Sequence, residues 1–152
     1  MSLAHHQQPA SRHSLSPPHR VVKTGTLFKK GSGHGLLFHR HNWKARYVVL
    51  TTDSLSYYDH QDGHLKGSID LSACTLDSLQ VMPADCRKTG HSAASEWRLA
   101  IDTASRRFFV AAACERDMRA WIDALASVFR ANEMRRQSLV AATLRHAAVS
   151  TC

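Results

Sequence analysis

Between Arg20 and Leu50 the chain has no aspartate and no glutamate, yet it carries Arg20, Lys23, Lys29, Lys30, Arg40, Lys44 and Arg46. Acids return only afterwards, as Asp53, Asp59, Asp62, Asp70, Asp77, Asp85, Glu96 and Asp102, interspersed with bases. The net charge of +8 is therefore focused on one stretch. Such a field selects anionic partners, whether nucleic acid, acidic protein or an anionic membrane face, without choosing among them. Other absences narrow the class. No apolar run approaches the roughly 18 residues that a membrane-spanning helix needs. Met1 to Arg20 has neither the apolar segment of a secretory signal nor the arginine density of a transit peptide, which predicts a cytoplasmic chain. Cys74, Cys86, Cys114 and Cys152 show no CxxC or zinc spacing, and Ser150-Thr151-Cys152 is no prenylation box, so free thiols and no metal centre are expected. Catalytic signatures are missing too: there is no Walker-type phosphate loop, and the acids sit singly in turns. A non-catalytic protein with no cofactor follows.

What is present suits one domain with tails, since 152 residues bury a single core without staples. Residues 1–20 are polar and Pro-interrupted and read as a flexible leader. From Val21 short strand-like runs appear: Val21–Lys30, Trp43–Thr51, Ser54–Asp59, Gly67–Leu71, Thr75–Val81, Glu96–Asp102 and Arg107–Ala112. Asp53-Ser54, Asp62-Gly63 and Thr103-Ala104-Ser105 mark turns, and Met82–Ser95 reads as a polar surface loop. The period then changes to 3.6. Met118, Trp121, Ile122, Leu125, Val128 and Phe129 form an apolar stripe, with Glu115 and Asp117 in the first turn where the helix dipole favours acids. Trp121, on that stripe, is expected to plug the core. The domain is thus placed at residues 21–131, with residues 132–152 as a tail that extends the helix, docks elsewhere or frays; a partly ordered helical tail is expected. The fold class is mainly β, seven strands and one C-terminal helix.

The first two runs read as an antiparallel hairpin, and side-chain parity makes it informative. Successive strand residues point to opposite faces, so Leu27 and Lys29 share one face of the first run. Lys44, Arg46, Val48 and Leu50 share one face of the second. Lys29 should then meet Lys44 and Arg46 near the loop, with Leu27, Val48 and Leu50 deeper in. Three cations on a core-facing parity imply an open rim and an anionic partner.

The segments Gly25-Thr26-Leu27-Phe28-Lys29-Lys30-Gly31, Trp43-Lys44-Ala45-Arg46-Tyr47-Val48-Val49-Leu50, Leu55-Ser56-Tyr57-Tyr58, Lys66-Gly67-Ser68-Ile69-Asp70-Leu71, Arg106 to Ala112 and Met118-Arg119-Ala120-Trp121-Ile122, in this order, resemble a pleckstrin homology domain. The resemblance implies a seven-stranded, bent β-sandwich or partly open barrel of two near-orthogonal sheets, capped at one end by the helix. It also implies a basic pocket at the open end. In the subgroup of that family that binds phosphoinositides, the pattern of cations maps onto Lys29, Lys44 and Arg46. Where 3-phosphorylated lipids are favoured, a third-strand tyrosine and a basic residue before a glycine join them, and Tyr57 and Lys66 match. Tyr58 is the alternative if the register slips by one.

At the tip of the first loop Leu36, Leu37 and Phe38 are consecutive apolar residues beside Arg40. They either enter the acyl boundary of a membrane beside a bound headgroup, with Arg40 among lipid phosphates, or fold back on the barrel. His34, His39 and His41 lack carboxylate-assisted metal spacing. The expected function is a signalling adaptor, monomeric, recruited reversibly to phosphoinositide-containing membranes and working through a protein partner. The alternative is a protein-interaction scaffold of the same fold with little or nonspecific lipid binding. Nucleic acid is not expected as a partner, since no recognised stacking platform accompanies the cations.

Overall fold

A computed structural model describes residues 19–31, 43–88 and 90–149. Seven strands, β1 (Val21–Lys30), β2 (Trp43–Thr51), β3 (Ser54–Tyr58), β4 (Leu65–Asp70), β5 (Leu79–Val81), β6 (Arg98–Asp102) and β7 (Arg107–Ala111), precede one helix, α1 (Glu115–Val149). The strands form one sheet in the order β4-β3-β2-β1-β7-β6-β5, with every neighbouring pair antiparallel. Alternation fixes which face is inside: Val48 and Leu50, Leu55 and Tyr57, Leu99 and Ile101, Phe108 and Val110 are buried. Laid flat at about 4.8 Å per strand, seven strands would span roughly 29 Å. Yet Leu55 and Ile69 near one edge share a core with Leu99 and Ile101 near the other. The sheet must therefore curl over its own apolar face. It stays open, because β4 and β5 do not pair, and β1 meets β7 only through Phe28↔Ala111 and Lys29↔Val110. The bent, partly open sandwich is thus one continuous sheet.

Helix α1 packs Met118, Trp121, Leu125, Val128 and Phe129 into that core. Trp121 reaches β1 at Gly25, where an added Cβ would stand 3.4 Å from the indole, at van der Waals contact. Lys29 lies four residues further along β1, about 13 Å at the strand rise. The helix thus plugs the end of the barrel away from the β1–β2 loop.

Two expectations change, and one open alternative is decided. The run Thr75–Val81 becomes a 3-10 turn at Leu76–Ser78 followed by the short β5. There the amide of Thr75 donates to the Ser78 hydroxyl at 3.1 Å, a local bond that competes with a strand ladder. The segment before β6 is not a plain polar loop: Pro83, Cys86 and Ala94 are buried, and a 3-10 turn spans Ala84–Cys86. Finally, the tail continues the helix to Val149. Nothing between Glu115 and Val149 is Gly or Pro, and Ala, Leu, Arg and Met propagate the helix. Asn132, 2% exposed, donates to the Leu71 carbonyl at 3.1 Å, and Arg136 donates to the carbonyl of Ser72. Beyond these anchors Leu139, Val140 and Leu144 are exposed.

Candidate functional site

The observed register pairs Lys29 with Lys44 and Leu27 with Arg46, which is the shared face that parity requires. Lys29 is half-buried. Its ammonium stands 5.0 Å from the centre of the Tyr57 ring and 5.3 Å from that of Phe108, and it donates to the Lys30 carbonyl at 3.1 Å. These rings supply cation–π attraction but no countercharge. Burial, then the guanidinium groups of Arg106 and Arg46, push the Lys29 pKa down from its ordinary value. Arg106 enters from the β6–β7 turn, its guanidinium 5.3 Å from the Phe108 ring and 3.4 Å from the Tyr57 hydroxyl, to which it donates. Among the described residues, none of Lys29, Arg46 and Arg106 is ion-paired with a carboxylate. Three cations therefore converge over an aromatic floor with their charge uncompensated. Such a basin favours a compact anion with several negative oxygens.

Tyr57 forms the floor because of its neighbour in β4. Tyr57 pairs with Gly67, where an added Cβ would sit 2.3 Å from the Tyr57 hydroxyl oxygen. Only a residue without that atom lets the phenol lie across β4 unshifted. The ring is 7% exposed and tilts against Phe108 with centroids 5.6 Å apart. Tyr58, the register alternative, pairs instead with Tyr47.

The remaining sequence candidates make their contacts elsewhere. Lys66 falls at a register shift between Tyr57 and Tyr58, and its ammonium lies 3.5 Å from Asp59. Lys44 is exposed and lines a cavity on the other flank of the hairpin. Leu36, Leu37, Phe38 and Arg40, and the histidines beside them, lie outside the described residues. Arg106 was not among the sequence candidates, although a signal existed. It shares the parity of Phe108 and Val110, both buried, so the argument that singled out Lys29 on β1 applies equally to β7.

A family model described as "PH domain" matches residues 21–130. The solution structure of the C-terminal PH domain of human pleckstrin aligns at 26% identity over 82% of this chain and 93% of that one, with a TM-score of 0.56. A second structure of the same human domain aligns at 25% identity over 81% of this chain and 99% of that one, with a TM-score of 0.57. No curated protein matches the chain.

Proposed function

The chain belongs to the PH domain family, and from that premise we propose that it is a non-catalytic module that binds phosphoinositide headgroups in the basin of Lys29, Arg46 and Arg106. The fold by itself does not name a ligand. The observation that carries the reading is the half-buried Lys29, flanked by two guanidinium groups and by no acid among the described residues. A cluster of that kind lowers the stability of the empty protein and favours a bound polyanion. In this reading Arg46 and Arg106 engage phosphate oxygens in forked fashion, and Lys29 acts as a point charge between adjacent phosphates. The Tyr57 hydroxyl adds a directional group. Lys44 stands at the rim, and Lys66 joins if its Asp59 contact, on an exposed ammonium, exchanges for a phosphate. A preference for 3-phosphorylated headgroups belongs to this proposal, as does reversible recruitment to membranes, with Leu36, Leu37, Phe38 and Arg40 as membrane contacts.

Among the described residues no helix is long and apolar enough to cross a membrane, so attachment at a surface is the form of membrane contact the proposal uses. Calorimetric titration with soluble inositol phosphates tests it. Arg46→Ala should weaken binding by about 2 to 5 kcal/mol if the contact is desolvated, without unfolding the domain. An unchanged affinity in that variant, or binding that merely tracks ligand charge across isomers, sinks the headgroup reading and leaves a protein-interaction scaffold.

A further inference from the structure

Lys29 carries an amine as well as a charge, and its setting is that of a nucleophile. The amine is half-buried over the Tyr57 and Phe108 rings, 5.0 and 5.3 Å from their centres, and donates only to the neutral Lys30 carbonyl among the described residues. Two guanidinium groups stand close to it. Arg46, on the same face of β2, donates to the Ala45 carbonyl at 2.9 Å, and Arg106 shares the Phe108 ring with Lys29. Lys44, opposite Lys29 in the register, adds a further charge at the rim. Among the described residues no carboxylate pairs with Lys29, Arg46 or Arg106, and residues 1–18, 32–42, 89 and 150–152 contain no aspartate or glutamate.

Arginine keeps its charge at physiological pH, whereas a buried lysine gives up its proton readily. The proton whose loss relieves this crowding is therefore the one on Lys29, and burial with the two guanidinium groups lowers its pKa accordingly. A desolvated amine beside other cations is an activated nucleophile. Deprotonation only weakens the repulsion, however. A carboxylate carried on the same nitrogen would reverse its sign and set it against two forked donors.

Lys30, next in the chain, shows what the arrangement requires. Its ammonium lies 4.8 Å from the Phe109 ring and shares that ring with Arg107, much as Lys29 shares Phe108 with Arg106. Arg107, though, is held by Asp85 and Asp102, and such acids favour an ammonium at Lys30 and oppose an anion there. Asp59, 3.5 Å from the Lys66 ammonium, does the same at Lys66.

We propose that Lys29 is a carbamate-forming site: dissolved carbon dioxide adds to its amine, and Arg46, Arg106 and the Tyr57 hydroxyl hold the product. The Nζ lone pair attacks the carbon of carbon dioxide, a C–N bond forms, and one C=O π pair moves onto oxygen. The adduct then loses a proton from nitrogen to water. Counted from the ammonium, two protons leave for each carbamate formed, and nothing is oxidised or reduced. The Tyr57 hydroxyl, which accepts from Arg106 at 3.4 Å, still has its own proton to donate to a carbamate oxygen. Three positive charges become two positive and one negative. The modification stands on the setting of Lys29 alone, while its consequence, competition between carbon dioxide and an anionic headgroup for the basin, rests on the headgroup reading.

The test equilibrates the full chain with isotope-labelled bicarbonate and carbon dioxide at constant pH and ionic strength, traps carbamates with triethyloxonium, and locates the ethyl ester by peptide mass spectrometry. Lys29 should carry the label well above Lys44, Lys66 and Lys88 of the same sample. Arg106→Ala should cut the Lys29 label by about ten-fold or more, the loss of one charge-assisted hydrogen bond, and leave the other lysines unchanged. Arg46→Ala repeats the comparison from a second element. Label at Lys29 no greater than at Lys44, or label that neither arginine variant reduces, overturns the inference. Trapping in excess inositol hexakisphosphate separates the modification from the headgroup reading. Protection of Lys29 supports both, whereas a persistent Lys29 label in a chain that binds no inositol phosphate keeps the modification and sinks the headgroup reading alone.

Discussion

Arg106, the last residue of the β6–β7 turn, and Arg107, the first of β7, are neighbours in sequence that point to opposite faces of the sheet, in opposite electrostatic settings. Arg107, on the outer face, donates to both oxygens of Asp102 at 2.8 and 2.6 Å, to Asp85, and to Gln80 at 2.7 Å, tying β5, β6 and the Ala84–Cys86 turn to β7. Arg106, on the inner face, donates to the Tyr57 hydroxyl, lies over the Phe108 ring and has no ion pair with an acid among the described residues. One arginine is part of the scaffold, while the other leaves its fork available. Burial alone does not separate them, since both are of intermediate exposure. Compensation does: a cation that the protein has already neutralised stabilises the fold, and one left uncompensated is available to a ligand.

Exchanging these arginines for alanine, one at a time, gives the widest separation. Arg106→Ala should cut affinity for inositol phosphates by about 1.5 to 3 kcal/mol, the range for hydrogen bonds to charged groups, and leave the denaturant midpoint near wild type. Calorimetry paired with a urea melt reads both quantities. Arg107→Ala should invert the pattern, lowering stability by about 1 kcal/mol as its network is lost, with affinity unchanged. If both variants lose affinity equally, the distinction between the two faces is wrong.

A subtler break uses Lys29. Because burial and two guanidinium groups lower its pKa, the unfolded chain binds this proton more tightly than the folded one. Stability contributed by this group therefore rises as pH climbs through the lowered folded value toward the ordinary lysine value of about 10.4. Lys29→Met keeps an apolar stem against the two rings and should stabilise the empty domain by about 0.5 to 1 kcal/mol while weakening ligand binding. A melt series between neutral and high pH checks the sign, since the variant should lose the alkaline rise. The smallest effect lies at the acid end. Hydrogen bonds from Arg107 hold Asp85, and those from Ser72 hold Asp70, below the usual carboxylate range. Their contribution is complete above the unfolded value of about 3.9 and fades as pH drops through the depressed folded values. Arg107→Ala should shrink that acid loss at Asp85, and acid melts would show it.

Much of this layout was legible because strand parity is a local property. The first hairpin carries its alternation in plain view, and β1, β2 and the shared face of Leu27, Lys29, Lys44 and Arg46 follow from it, although the register sets Leu27 opposite Arg46 rather than Val48 or Leu50. Arg106 is equally legible, since it shares the parity of the buried Phe108 and Val110. Other features depend on events that a local pattern does not record. Alternation puts Arg98 and Ala100 on the outer face of β6, and both are nonetheless buried; the Arg98 guanidinium donates to the carbonyls of Cys86, Arg87 and Ser95, contacts that strand spacing does not record. Lys66 follows a family pattern, but the register shift beside it is a one-residue event that hydrophobic spacing does not encode. The course of the tail is open in the sequence for a similar reason. Its continuation reflects the lack of a stop signal and the Asn132 and Arg136 anchors on the Leu71–Cys74 segment, which only the folded chain brings near.

The close fit of Tyr57 over Gly67 couples the two positions as a matched pair. Any side chain at 67 collides with the phenol, and the phenol has little room to retreat beneath Lys29 and against Phe108. In a library randomised at both sites, survivors should carry bulk at one position or the other but not at both, so the two codons should vary together even though ten residues separate them along the chain.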